Sequence, residues 1–276
     1  MELENVAATA GLPDADRHRD SSADPAVAAR DERRFRIASS LLVPAVLSFV
    51  AGFVDVTCYI GLFETFTAFI TGNIIVLVSN IAEGKGEIWT KVMVLPAFLA
   101  AAAVWVELIK WIRAAGRDVI VHILLLAEAA LIALFMLTGG LLSRLQDADA
   151  WPTMLTAFVS VVAMALQNVT MVLVLHFHAP TTVMTGNITN FAIHGLDATS
   201  AYRYRLGAPP KLSRAALIRR YGAAIASFIA GAGLGGYGFA TAGFWALAAP
   251  AAALFILGLW ITIIGWRAAR AGSNPA

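Results

Sequence analysis

The sequence is dominated by a succession of apolar segments, most of which are long enough to cross a lipid bilayer. Eight such segments follow residue 40, and 59% of the 276 residues are hydrophobic while only 14% are charged. A hydrocarbon core about 30 Å thick needs roughly 20 helical residues. No soluble domain of this size could bury so much apolar surface, so the composition predicts an all-α, multi-pass membrane protein. The segments are 41–62, 65–82, 92–113, 119–141, 153–175, 180–196, 221–240 and 243–266.

The second and sixth segments are the shortest, and both contain the same polar motif. Residues 67–74 read TAFITGNI and residues 181–188 read TTVMTGNI, which are identical at five of eight positions. The segment lengths also repeat as long, short, long, long. We therefore predict two internal repeats, 41–141 and 153–266, and expect the short segments to form discontinuous or re-entrant helices.

Whether the short segments cross the membrane decides how the two repeats are related. Full crossing gives eight passes and parallel repeats, whereas entry and exit on one side gives six passes and inverted repeats. The loop charges do not distinguish these arrangements, because both place nine Lys and Arg residues inside and three outside. Short segments that contain glycine at matching positions favour the inverted arrangement, and both remain open at this stage.

The termini are predicted to lie in the cytoplasm. Residues 1–36 are charged and rich in Ala, Ser and Pro, which is typical of a disordered tail ahead of a membrane domain at 37–276. Positive charge is enriched on the cytoplasmic side of membrane proteins. The basic loop 197–220 is better explained by this bias and by lipid contact than by a nucleic-acid partner. The basic residues at the termini are Arg30, Arg33, Arg34, Arg36, Arg267 and Arg270.

The polar motifs are the first candidates for a binding site. In an unbroken helix Thr71 and Asn73 point about 200° apart, but Gly72 makes local unwinding inexpensive and would let both side chains reach one cavity. The alternative is that these residues only join packed helices. The predicted substrate-binding residues are Thr71, Gly72, Asn73, Gln167, Asn168, Thr185, Gly186 and Asn187.

Two carboxylates fall deep inside apolar segments, where an exposed charge costs about 2.5–3.5 kcal/mol on insertion scales. Asp55 is predicted to carry a proton or a cation, or instead to make a structural hydrogen bond that fixes the neighbouring motif. The corresponding place in the second repeat holds the neutral pair Gln167 and Asn168. Glu128 is predicted to take part in ion coupling, with a structural pairing as the alternative.

The remaining features exclude several classes of protein. The sequence has one cysteine and shows neither a recognisable enzyme motif nor a metal-ligand pattern, so we expect neither an enzyme nor a bound cofactor or metal. The glycine-rich seventh segment, which contains Gly231 and Gly235, is predicted to be a close-packing face or a contact between copies of the chain.

Four stretches resemble a known family. They are GFVD at 52–55, FITGN at 69–73, LQN at 166–168 and TTVMTGN at 181–187. Together they resemble the YoaK-type family of bacterial membrane proteins of unknown function, over residues 38–266. The resemblance implies a protein of the bacterial inner membrane with six or more helices, and it implies no substrate.

These observations lead to two hypotheses of function. The first is a transporter or channel for a small solute or ion, with a polar site in mid-membrane between the two repeats and with proton or cation coupling. The second is a membrane scaffold or assembly partner that transports nothing and uses the glycine-rich face.

Overall fold

The computed structural model describes residues 41–86, 88–114, 121–142, 147–175, 178–199 and 214–271. The predicted tail at 1–36 and most of the basic loop at 197–220 lie outside this description. The described residues form α1 Leu42–Gly61, α2 Gly72–Ala82, α3 Trp89–Ala114, α4 Val121–Leu141, α5 Trp151–Leu173, α6 Met184–Thr199, α7 Arg214–Ala242, a 3-10 turn Gly243–Leu247, and α8 Ala248–Ala271.

Five stretches of the described chain are long and apolar enough to cross a membrane. Four are α1, α3, α4 and α5, and the fifth is the 50-residue stretch Arg214–Ile263. A continuous helix of that length would measure about 75 Å, more than twice the hydrocarbon core. The 3-10 turn, which begins at Gly243 with φ +58°, divides this stretch into α7 and α8. The prediction of an all-helical, multi-pass membrane protein is confirmed at this level.

The short helices begin later than the motif spacing suggests. Helix α2 has 11 residues, so it is about 16 Å long and cannot span the core alone. It is preceded by a non-helical segment at 62–71, and α6 is preceded by one at 174–183, of which 176–177 lie outside the described residues. The non-helical segment therefore ends at Thr71 in the first copy and before Thr185 in the second, and in neither copy does it include the Gly or the Asn of the motif. In both copies the Asn side chain bonds backbone seven residues earlier, which places the Asn near the helix start.

The most extensive helix contact joins α1 and α7. A Cβ added at Gly231 would overlap the carbonyl oxygen of Phe49, and one at Gly235 would lie 2.7 Å from the carbonyl oxygen of Phe53. The glycines thus let two helix backbones touch, as small residues do in membrane bundles. The surface considered above for a contact between copies at Gly231 and Gly235 is covered by α1 of the same chain.

Several helix ends meet at one end of the bundle. The Lys91 ammonium, at the start of α3, donates to the carbonyl oxygen of Phe63, just after α1, at 2.7 Å. The carboxylate of Asp149, in the connection between α4 and α5, accepts hydrogen bonds from the backbone N–H groups of Ile88 and Thr90 at 3.1 and 3.0 Å. These bonds place the end of α1, the start of α3 and the start of α5 together.

Candidate functional site

The polar motifs belong to two helix junctions at matching places in the chain. The first junction consists of Asp55, the segment 62–71 and Asn73. The second junction consists of Gln167, Asn168, the segment 174–183 and Asn187. In each, a side chain near the end of a long helix holds the non-helical segment that precedes a short helix.

In the first junction, Asp55 satisfies three backbone N–H groups. Its Oδ1 accepts hydrogen bonds from Thr67 and Ala68 at 2.9 and 2.7 Å, and its Oδ2 accepts one from Phe69 at 2.8 Å. The side chain is only 3% exposed. Buried backbone N–H groups outside a helix need such partners, because no water reaches them. This geometry matches the structural alternative stated for Asp55, and the ion-coupling role remains a prediction.

Asn73 closes the first junction with two hydrogen bonds to one residue. Its Oδ1 accepts from the Phe66 N–H at 2.8 Å and its Nδ2 donates to the Phe66 carbonyl oxygen at 2.7 Å. Gly72 is buried, and a Cβ there would lie 2.5 Å from the ring of Phe69. Thr71 is exposed. The motif thus contributes one anchoring amide, one glycine required by aromatic packing and one outward-facing hydroxyl.

The second junction performs the same task with amides. Gln167 Nε2 donates to the carbonyl oxygen of Leu47 and to Thr181 Oγ1, both at 2.8 Å. Asn168 Oδ1 accepts a hydrogen bond from Thr182 Oγ1 at 2.7 Å. Since Leu47 belongs to α1, the second junction is tied to the first helix of the opposite half.

Asn187 repeats only half of the arrangement around Asn73. Its Nδ2 donates to the carbonyl oxygen of Pro180 at 2.6 Å, again seven residues earlier. Proline has no backbone N–H, so Asn187 Oδ1 finds no donor there. Among the described residues this oxygen and Gln167 Oε1 have no hydrogen-bond partner, and both side chains are fully buried. Thr185 is exposed, and a Cβ at Gly186 would make only an ordinary contact with Val183 at 3.5 Å.

Polar groups from both halves also meet between α1 and α5. The hydroxyls of Thr67 and Ser160 are 2.9 Å apart, and the Cys58 thiol lies 3.2 Å from each. Sequence reasoning missed Ser160. The available signal was spacing, because Ser160 precedes Gln167 by seven residues and therefore shares its helix face.

Glu128 has a different environment from Asp55. It lies on α4, is 1% exposed, and neither carboxyl oxygen has a hydrogen-bond partner among the described residues. Helix α4 packs against α5 and α8 and contributes no residue to either junction. The buried hydroxyls that likewise lack a partner in the described chain are those of Ser48, Thr57, Thr65 and Thr170.

Two grooves among the described residues are lined largely by aromatic side chains. One, of about 400 Å³, is bordered by the rings of Tyr59, Phe66 and Phe69 beside the first junction. The other, of about 420 Å³, lies near Phe63 and Trp245. Within the described ranges, no group of three or more His, Cys, Asp and Glu side chains is placed to hold a metal ion.

Comparison with known proteins gives a family but no activity. Searches of curated proteins and of solved structures each gave no significant match. A family model described as "Protein of unknown function (DUF1275)" matches residues 43–260, a range that begins in α1, ends in α8 and contains both junctions. The chain is therefore a membrane protein of the DUF1275 family.

Proposed function

We propose that the chain is a transporter or channel for a small polar solute or ion, and that its path follows the interface between α1 and α5. The observation that carries this proposal is the set of polar contacts across that interface. Thr67 meets Ser160 there, and Gln167 reaches the carbonyl oxygen of Leu47. Polar groups at membrane depth are costly and are usually retained for function.

We further infer that the two repeats are inverted and that α2 and α6 are re-entrant. The bond between Lys91 and Phe63 supports this, because it joins the residues before and after α2 at one end of the bundle. At the other end, Arg113 near the end of α3 donates to the Leu173 carbonyl oxygen at the end of α5, at 2.8 Å. Six crossings result, with both termini in the cytoplasm.

The helix packing supports the presence of two matching repeats. If α1 corresponds to α5, α2 to α6 and α3 to α7, then the contact of α1 with α7 is matched by that of α5 with α3. The contact of α2 with α3 is likewise matched by that of α6 with α7. Such exchange symmetry is expected of two repeats related by a two-fold axis, whether they are inverted or parallel.

The two deep carboxylates take different parts in this proposal. Asp55 accepts three backbone hydrogen bonds and so holds the first junction in place. Glu128 makes none to the described residues, which leaves its oxygens available to exchange a proton or a cation. We therefore assign coupling to Glu128 and positioning to Asp55.

The proposal is tested by flux in proteoliposomes that contain the full chain. Proton flux is followed with an internal pH dye under an imposed potential, and uptake is measured for a mixture of amino acids, sugars, nucleobases and monovalent cations. We expect flux above empty liposomes, reduced about tenfold in Ser160→Val, which corresponds to losing roughly one hydrogen bond.

The matched control is Thr241→Val, because Thr241 is exposed and bonds only backbone of its own helix. Glu128→Gln is expected to abolish proton coupling while leaving the protein folded. Absence of flux for every probe, or full flux in Ser160→Val, would contradict the proposal.

The scaffold hypothesis relied on the glycine-rich face. Gly231 and Gly235 are covered by α1 within the chain, so no specific contact favours it.

A further inference from the structure

We propose that the second junction binds a small monovalent cation, Na⁺, K⁺ or ammonium, through the amide oxygens of Gln167 and Asn187. This rests on the proposed function, because it names the class of ligand for the same path. The two oxygens are the buried amide acceptors that have no donor among the described residues.

The orientation of both amides follows from their partners. The carbonyl oxygens of Leu47 and Pro180 can only accept hydrogen bonds. The NH₂ groups of Gln167 and Asn187 must therefore face them, at 2.8 and 2.6 Å. Rotating either amide by 180° would bring two acceptors together. Gln167 Oε1 and Asn187 Oδ1 are thus fixed as the atoms left for a ligand.

The hydrogen-bond partners of these two amides are neighbours in the chain. Gln167 is bonded to Thr181 and Asn187 is bonded to Pro180, and these two partners are consecutive in the sequence. Both side chains are 0% exposed. A buried acceptor without a donor is destabilising. A ligand that carries positive charge or N–H donors would remove that cost.

The chemistry of the junction favours a monovalent ion. Its residues contain no Asp or Glu, whereas divalent Mg²⁺ and Ca²⁺ sites in proteins normally include carboxylates. Neutral amide, hydroxyl and backbone oxygens at an interrupted helix are typical of Na⁺ sites in transporters.

The first junction has no unpaired buried carboxylate or amide oxygen, and its unpaired buried group among the described residues is the Thr65 hydroxyl. There, each carboxylate and amide oxygen of Asp55 and Asn73 already accepts at least one backbone hydrogen bond. The two asparagines differ in the residue seven positions earlier. Phe66 has a backbone N–H that pairs with Asn73 Oδ1, whereas Pro180 has none to pair with Asn187 Oδ1. A cation site is therefore proposed for the second repeat alone.

Thermal unfolding of the purified full chain tests this proposal. Its seven tryptophans provide the fluorescence signal, and NaCl, KCl or NH₄Cl is titrated against choline chloride at constant ionic strength. We expect a saturable rise in Tm of about 5 °C with at least one small cation. Pro180→Ala, which restores an N–H to pair with Asn187 Oδ1, should weaken the apparent affinity at least tenfold.

The matched control is Asn190→Ala. Asn190 lies on α6, as Asn187 does, and its side-chain amide donates to backbone at 2.8 Å. This variant should keep the wild-type cation response. A Tm that does not depend on the cation, or an unchanged affinity in both Pro180→Ala and Gln167→Leu, would overturn the proposal.

This result is separable from the transport experiment. Cation-dependent stability without flux would support the site and reject transport. Flux that continues without any cation-specific stabilisation would reject the site and leave the transport proposal standing.

Discussion

The first and second junctions share one spacing and differ in how completely their polar atoms are paired. In both, an Asn bonds the carbonyl oxygen seven residues earlier. The first junction adds a carboxylate with three N–H donors, whereas the second leaves two amide oxygens without a donor among the described residues. The two junctions thus share one spacing, while only the second has amide oxygens left for the ligand that we propose.

The largest loss of stability is expected from Asp55→Ala. This change leaves the buried N–H groups of Thr67, Ala68 and Phe69 without an acceptor, at about 1–3 kcal/mol each. The sum is comparable with the total stability of a typical domain, so we expect little folded protein on size-exclusion chromatography. A variant that elutes and melts like the wild type would show that the first junction is not an anchor.

Replacing Asn73 should lower the free energy of unfolding more than replacing Asn187, because Asn73 makes the more complete set of hydrogen bonds. Asn73→Ala removes two bonds to Phe66 and should cost roughly 2–6 kcal/mol. Asn187→Ala removes one bond to Pro180 and a weak contact with Met184 Sδ at 3.7 Å, and should cost roughly 1–3 kcal/mol. The comparison is made by thermal unfolding in choline chloride, so that no small cation contributes. Equal or inverted losses would contradict the asymmetry.

Pro180→Ala should change stability least in the same salt. The new N–H can pair with Asn187 Oδ1 and contribute about 0.5–1.5 kcal/mol, while losing proline costs about 0.4–1 kcal/mol through the unfolded state. We therefore expect a Tm within about 3 °C of the wild type. A large loss would mean that proline is needed for the backbone shape of the segment and not for its missing donor.

The sequence predicts the membrane class and the unusual short segments, because hydrophobic length and composition act locally. It does not predict where the helices break. The Thr-Gly-Asn motif predicts an unwound helix at Gly72. Helix α2 instead begins at Gly72, because the Asn73 amide is hydrogen-bonded to the backbone of Phe66. That bond forms because the segment 62–71 folds back towards the start of α2, and hydrophobic periodicity in the sequence does not indicate such a turn.

The site is predicted unevenly for the same reason. Asp55, Gln167 and Asn187 were identified because polar side chains are rare in apolar segments. Ser160 was missed, since a single serine in a membrane helix is common, and its importance depends on the approach of Thr67 from the other half.

The proposed path requires α2 and α6 to enter the membrane from opposite sides. This is measured with an impermeant thiol reagent on intact cells that express single-cysteine variants, Gly86→Cys and Gly195→Cys, in a Cys58→Ser background. A Cβ at either glycine meets nothing within 4 Å. We predict that the cysteine at position 86 is labelled from outside and that the one at position 195 is labelled only after permeabilisation. Protection of position 86 until permeabilisation would mean that α2 and its preceding segment cross the membrane, and would contradict the inverted arrangement.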